Sequence, residues 1–361
     1  MARIEMKNIG HRYSADADKS GFALEALNMT WQDASANALL GPSGCGKTTL
    51  LNMISGLLRP QTGSILFDGE DITRQSPKAR HIAQVFQFPV VYDSMNVEQN
   101  LGFPLKNDKM TSGEIKNRVH KIADLLELDG VLKRKPHQLT AAEKQKVSLG
   151  RGIVRTDTAA VLLDEPLTVI DPQQKWELRR KLKQVQTELK LTMIYVTHDQ
   201  QEALTFADHV TIMRNGAIEQ SGSPAELYDH PASPFIGFFI GSPGMNFLDI
   251  ESLDGKLTWE NEGISIDHQL ASDLSASHAP FTLGIRPEHI IVSNEAKPGH
   301  IETDIHLLED TGAYKILTLE RGARKLKARI PDSMSVAEGD RVWVSFPPEA
   351  MRFYQEDRCI G

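Results

Sequence analysis

Gly41-Pro42-Ser43-Gly44-Cys45-Gly46-Lys47-Thr48 reads as G-x-x-x-x-G-K-T, and its surroundings fit that pattern. Ala38-Leu39-Leu40 before it reads as the end of a buried strand, and Thr49 to Leu57 after it as a helix. Glycines let the backbone curl so that successive N–H groups face one anion, and the new helix adds its positive end. Lys47 is placed to reach the terminal phosphates of a nucleoside triphosphate, and the Thr48 hydroxyl to bind Mg²⁺. Gly41 to Thr49 are therefore the candidate nucleotide-binding residues. The bland alternative is a chance glycine turn ahead of a helix, and a match at every fixed position between a strand and a helix disfavours it.

The chain has 361 residues, which favours two domains, and its 40% hydrophobic content supports a packed core. A net charge of −8 argues against a nucleic-acid polymer as main partner. Two cysteines, one inside the loop, offer no disulfide framework and fit a reducing compartment. Cys45 occupies a variable loop position and reads as filler rather than a redox site. No apolar run approaches ~18 residues, and Met1 to Glu5 lack the apolar core of a secretion signal. Any membrane association is expected to come through a partner.

Ile4 to Tyr13 and Ala23 to Trp31 read as strands of an antiparallel layer, joined by a polar loop from Ser14 to Ser20. Tyr13 sits just before that loop. It is either an aromatic ring that stacks on a nucleotide base or an ordinary strand-end tyrosine. Gly63 to Asp68 is a strand running into a turn at Gly69, and Ile82 to Phe86 is a short strand ending at Gln87. The apolar stretch Phe88-Pro89-Val90-Val91-Tyr92-Asp93-Ser94-Met95 is either a contact surface or packing beneath the following helices. Thr111-Ser112-Gly113-Glu114 is a capping box ahead of an amphipathic helix with Ile115, Val119, Ile122 and Leu126 on one face. Another helix opens at Leu139-Thr140-Ala141-Ala142 and runs to about Val154. Ala159 to Leu163 is a continuous apolar run, as expected of a parallel strand buried on both faces, and it ends in Asp164-Glu165. Pro172 starts a long helix, Thr192 to Thr197 is a core strand ending at His198, and Gln200 to Ala207 is a short helix. Asn215-Gly216 joins a hairpin. After Gly241-Ser242-Pro243-Gly244 the texture changes to short strands and turns, such as Asn261-Glu262-Gly263, Lys297-Pro298-Gly299 and Glu338-Gly339-Asp340. That predicts an all-β tail.

Ligands bind beyond the carboxyl ends of strands in open α/β sheets. Asp164, at such an end, can hold Mg²⁺ together with Thr48. Glu165 can orient and polarise an attacking water. Strand-end acids also serve as helix caps, but the phosphate loop favours catalysis. His198 can hydrogen-bond a γ-phosphate, and Gln87 can sense Mg²⁺ or the water.

Gly41–Thr48, Gln87, Leu162-Leu163-Asp164-Glu165-Pro166, Asp171 and His198 together resemble the ATPase subunits of ABC transporters, in order and spacing from residue 1 to about 235. The motifs Gly241-Ser242-Pro243-Gly244-Met245-Asn246-Phe247, Leu283-Gly284-Ile285-Arg286-Pro287-Glu288 and Phe346-Pro347-Pro348-Glu349 resemble the regulatory β-domain of carbohydrate importers. The resemblance implies an α/β P-loop ATPase core over residues 1–240, with an antiparallel β layer and a helical subdomain near 90–157. A small OB-like β regulatory domain over 241–361 follows. It implies ATP and Mg²⁺ as cofactors, Tyr13 as the adenine-stacking ring, Gln87 at the start of the loop facing a membrane subunit, and Asp171 in the loop crossing an ATPase dimer. It also implies two transmembrane permease subunits, a solute-binding protein acting through them, and a peripheral location on the cytoplasmic face of the inner membrane.

The family's Leu-Ser-Gly-Gly-Gln signature is here Leu139-Thr140-Ala141-Ala142-Glu143. In the family two ATPase subunits face head to tail, and each signature closes on the partner's phosphate loop. Ala141 and Ala142 add methyl groups at a contact where glycines permit close backbone approach. Glu143 adds negative charge, and two unit charges ~6 Å apart at an effective ε of ~20 repel by roughly 3 kcal/mol. The expectation is an asymmetric pair with a second, non-identical ATPase, as in glycerol importers built with two unlike ATPase subunits, and glycerol or a related polyol as cargo. The alternatives are a homodimeric ATPase of a sugar or glycerol-3-phosphate importer, a soluble ABC-type ATPase, and a regulatory ATP-binding protein.

Overall fold

The computed structural model describes residues 1–13, 22–107, 110–253, 256–259, 262–263 and 281–360. It falls into two compact units, Met1–Pro224 and Ala225–Gly361. The elements of the first are β1 (Ile4–Arg12), β2 (Phe22–Trp31), β3 (Ala36–Leu40), α1 (Lys47–Ser55), β4 (Thr62–Phe67), β5 (Glu70–Asp71) and β6 (Ile82–Val85). They continue with α2 (Val97–Gly102), α3 (Ser112–Leu125), α4 (Ala141–Ile153), β7 (Ala160–Asp164), α5 (Pro172–Leu189), β8 (Met193–Thr197), α6 (Gln200–Phe206), β9 (His209–Arg214) and β10 (Ala217–Gly222).

The antiparallel layer is present, in the order β2-β1-β4-β5. The polar stretch Ser14 to Ser20 lies outside the described residues. The second sheet runs β10-β9-β3-β8-β7-β6. Its strands from β9 to β6 are parallel, and β10 returns antiparallel through Asn215 (φ 50°) and Gly216 (φ 80°), the two positive φ values that a tight hairpin requires. β3 and β8 are buried along their whole length, which is why their sequences are continuous apolar runs rather than alternating ones. Leu39, Leu162, Ile194 and Val196 of this sheet share one core with Leu50 and Ile54 of α1 and with Ile4 and Ile65 of the antiparallel layer.

α1 begins at Lys47 rather than at Thr49, because Gly46 (φ 103°) turns the chain directly into the helix. Between β6 and β7 lie α2, α3 and α4. Each is opened by a reciprocal cap: Asn96 with Gln99, Thr111 with Glu114, and Thr140 with Glu143.

The second unit holds α7 (Pro224–Asp229, whose first residue closes the first unit), α8 (Pro234–Phe239), β11 (Asn246–Leu253), β12 (Lys256–Trp259), β13 (Glu262–Gly263), β14 (Phe281–Ile285) and β15 (Ile291–Ser293). It continues with β16 (Ile301–Asp310), β17 (Tyr314–Arg321), β18 (Arg324–Pro331), β19 (Arg341–Ser345), β20 (Arg352–Gln355) and β21 (Arg358–Cys359). Two sheets, β13-β12-β11-β14-β20-β21 and β15-β19-β16-β17-β18, bury one core that includes Leu248, Leu283, Leu317, Val344 and Phe353. The all-β expectation holds, with one correction. Glu262 and Gly263 are not a turn but the strand β13, paired with Trp259 and Thr258, while Asn261 lies outside the described residues. Arg286, 2% exposed, donates to the carbonyls of Tyr228 and Ile240 and lies 3.6 Å above the Tyr228 ring. Burial lowers its pKa to about 10, with Tyr354 and the Asp229 carboxylate opposing the shift.

The orientation of α1 depends on a buried cation. The Arg80 guanidinium, 2% exposed, donates to the carbonyls of Met53 and Ile54 in the last turn of α1 and to those of Thr73 and Gln75. It satisfies acceptors that a helix end leaves open and sits at the negative pole of the helix. Arg80→Met should destabilise the chain by about 3 kcal/mol, measured by urea unfolding, because it removes the guanidinium donors from the Ile54, Thr73 and Gln75 carbonyls and leaves the Met53 carbonyl only Gly56 N–H. A loss below about 0.5 kcal/mol would contradict this placement.

Candidate functional site

Neighbouring strands of the parallel sheet deliver the expected chemistry to one edge. Leu40 lies opposite Thr197, Val196 opposite Asp164, and Leu163 opposite Val85. The residues that follow these strands are the glycine loop, His198, Glu165 and Gln87. A one-residue slip in any pairing would send the strand-end side chains to the other face.

The loop wraps the start of α1. A Cβ on Gly46 would fall 2.3 Å from the carbonyl oxygen of Ala23, so only glycine fits there, while a Cβ on Gly44 would meet nothing within 4 Å. The Lys47 ammonium is 6% exposed and is held over the loop by the carbonyls of Gly41 (2.7 Å) and Pro42 (2.9 Å). Cys45 packs into the core, as filler should. Tyr13, Ala23, Ser43, Gly44, Gly46, Lys47, Thr48, Thr49 and Glu165 line a cleft of about 470 Å³. The Tyr13 hydroxyl hydrogen-bonds the Thr49 hydroxyl at 3.0 Å, and its ring is 68% exposed with an edge contact to His11. That leaves an aromatic face at the cleft rim, an arrangement that suits base stacking better than a buried structural role.

Asp164 is half-buried at the end of β7. Burial, then the adjacent Glu165 charge, raise its pKa above the ordinary carboxylate value, and Lys47 opposes them. Glu165 adopts φ 47°, and its N–H donates to the Val196 carbonyl at 2.9 Å. This positive-φ turn carries the chain out of β7 at the strand end. The carboxylate meets His198 Nδ1 at 3.1 Å and accepts from the Thr168 hydroxyl at 3.3 Å.

Gln87 is half-buried and does not line the cleft among the described residues. In the apolar loop after it both readings hold in part. Asn100 brackets the backbone of Tyr92, and Arg151 of α4 donates to the Val90 carbonyl and lies over the Tyr92 ring. The Phe88 and Val90 side chains stay exposed, at 67% and 49%. Asp171 caps α5 by accepting from Gln174 N–H, and Leu139 to Glu143 open α4, both apart from the cleft.

Sequence reasoning missed three contributors. Thr168 steadies Glu165 three residues on. Ala23 walls the cleft from the antiparallel layer. Glu202, 4% exposed, accepts from Tyr195 and Thr197 just before His198. Only Glu202 left a signal, an acid in the first turn after His198-Asp199.

The site fits a Mg²⁺-bound nucleoside triphosphate. Thr48 and Asp164 are hard oxygen donors, and the open space at Gly44 beside a capped ammonium suits a phosphate chain. Among the described residues no group of three or more His, Cys, Asp or Glu gathers, so phosphates and water would complete a Mg²⁺ shell.

Residues 24–168 match the ABC transporter family, 241–290 the MalK OB fold domain, and 283–353 the TOBE domain. The sn-glycerol-3-phosphate import ATP-binding protein UgpC of Salmonella typhi is 40% identical over 329 residues, 90% of this chain and 90% of that protein. The chain belongs to the ABC transporter ATP-binding proteins. UgpC of Escherichia coli O157:H7 is 37% identical over 354 residues, 93% of this chain and 98% of that protein. Among solved structures, cbiO1 of Clostridium perfringens, part of an ABC transporter complex, is 29% identical with TM-score 0.58, covering 62% of this chain and 89% of its own. A dimeric ATP-binding cassette in a post-hydrolysis state, bound to ADP and Pi, is 25% identical with TM-score 0.54, covering 61% of this chain and 98% of its own. This ABC protein is therefore an ATPase of the carbohydrate and polyol importer type, working on ATP with Mg²⁺.

The raised Asp164 pKa has a stability consequence. The folded state binds that proton more tightly than the unfolded state, so the group's favourable contribution is present at low pH and is lost as pH rises through the raised value. Asp164→Asn should therefore raise the unfolding midpoint of the nucleotide-free ABC protein by about 2 °C at pH 7, with the gain vanishing below about pH 4. The same variant should lose turnover. Equal midpoints at both pH values would contradict the unfavourable ionisation of Asp164.

Proposed function

We propose that this ATPase drives uptake of glycerol or a related polyol. It would work at the cytoplasmic face of the membrane with two permease subunits and a solute-binding protein that acts through them. Within the site, Lys47 and the loop N–H groups would hold the phosphates, and Thr48, Asp164 and Gln87 would hold Mg²⁺. Glu165 accepts a proton from the attacking water, and His198 steadies the γ-phosphate. Mg²⁺, once held there, would supply neutralisation of the phosphate charge. Tyr13 carries the adenine.

We further infer that its two nucleotide sites are unequal and that its natural partner is a second, non-identical ATPase. The observation that carries this is the turn of Glu143. Its carboxylate accepts from its own helix's Thr140 N–H at 2.7 Å, while Glu143 N–H donates to the Thr140 hydroxyl at 3.1 Å. A fixed anion thus occupies the positive end of α4 that family members turn toward a partner's triphosphate. A glutamine would cap equally well without the charge. The second reading of cargo is glycerol-3-phosphate, favoured by the solute named for the UgpC relatives.

The isolated chain should hydrolyse ATP slowly, and Glu143→Gln should raise its rate about tenfold. Full turnover by the unmodified chain alone would reject the asymmetry. For cargo, the assembled transporter should show hydrolysis stimulated by its solute-binding protein loaded with glycerol. Stimulation by glycerol-3-phosphate alone would establish the second reading, and stimulation by a sugar alone would overturn both.

A further inference from the structure

A buried carboxylate links the two loops that the reaction uses. Glu202, in the first turn of α6, is 4% exposed, and its Oε2 accepts from the Tyr195 hydroxyl (3.1 Å) and the Thr197 hydroxyl (2.9 Å). The Thr197 hydroxyl in turn accepts from Asp199 N–H at 3.0 Å, and the Asp199 carboxylate accepts from the N–H groups of Gln201 and Glu202. His198 is thus held by bonded residues on both sides, and Glu202 sits behind them. Its second oxygen, Oε1, meets Lys175 Nζ at 3.4 Å. Lys175 belongs to α5, one turn beyond the cap, and its N–H donates to the carbonyl of Asp171. A continuous path therefore runs from Asp171 through Lys175, Glu202 and Thr197 to the turn that presents His198 to Glu165. Only Glu202 is buried, the Lys175 side chain being 28% exposed, and moving Lys175 away would leave a buried carboxylate without its cation. Nothing in nucleotide binding requires it, since neither residue lines the cleft.

We propose that Lys175 and Glu202 are a positioning pair, which fixes the His198 turn according to where the Asp171 loop sits. Turnover would then sense what contacts Asp171 through this ion pair. The inference rests on the role given above to His198.

The test uses the full chain assembled with its permease partners, and reads kcat and KM for ATP together with thermal unfolding. Lys175→Met should lower kcat about fivefold to tenfold with KM for ATP nearly unchanged, and Lys175→Arg should restore it. Glu202→Gln keeps an acceptor for Tyr195 and Thr197 but removes the charge, so it should lower kcat similarly. The double variant should be no worse than either single one. Normal kcat in Lys175→Met, alongside its loss in His198→Ala, would overturn the inference alone. Retained turnover in His198→Ala would overturn the reading of the site and this inference with it. A parallel fall in unfolding midpoint and ATP affinity in both single variants would reduce the pair to a structural role and overturn the proposal.

Discussion

The register of the parallel strands β3, β8, β7 and β6 is the constraint on which the rest depends. With Leu40 opposite Thr197 and Val196 opposite Asp164, the phosphate loop, His198 and Glu165 must emerge at one edge. Backbone hydrogen bonds, and for β3 and β8 burial along the whole strand, hold that register, so the candidate groups at the edge inherit rigidity from apolar packing. The Glu165 N–H bond to the Val196 carbonyl extends the ladder one residue beyond β7 and fixes the strained turn where charge is needed. Preorganised groups of this kind stabilise developing charge without reorganising during the reaction.

Around that edge, each flanking element solves a local electrostatic problem. Arg80 donates to the carbonyls at the far end of α1, whose near end opens out of the glycine loop. Lys47 is caged by carbonyls and faces Asp164, whose charged form is disfavoured by burial. A divalent cation beside it would relieve that unfavourable charge. Glu143 poses the opposite problem, since its carboxylate uses up the positive end of α4. The two anions differ in consequence. One is half-buried at the end of β7 beside the Glu165 that lines the cleft, and the other caps the first turn of α4.

Much of this was legible in the residues. The loop from Gly41 to Thr48, the apolar run ending in Asp164-Glu165 and the Thr197-His198 strand end carry fixed chemistry at fixed spacing, and the sheet places them together. The Asn215-Gly216 hairpin and the Thr111–Glu114 cap were readable because positive φ and reciprocal caps demand particular residue types. The Thr140–Glu143 cap has the same Thr-x-x-Glu pattern, yet its meaning lay in which way the carboxylate turned. Ala23 and Thr168 left no signal, since walls and supports are ordinary residues brought near by the fold. Glu262-Gly263 misled because a turn-rich composition does not fix which residue begins the next strand.

The account stands on Glu165 acting as the base within one closed site. The direct measurement is ATP turnover and nucleotide retention in the assembled transporter carrying Glu165→Gln. Turnover should fall by at least about a hundredfold while ATP remains bound and intact after removal of free nucleotide. Retained ADP, or hydrolysis near the unmodified rate, would contradict it.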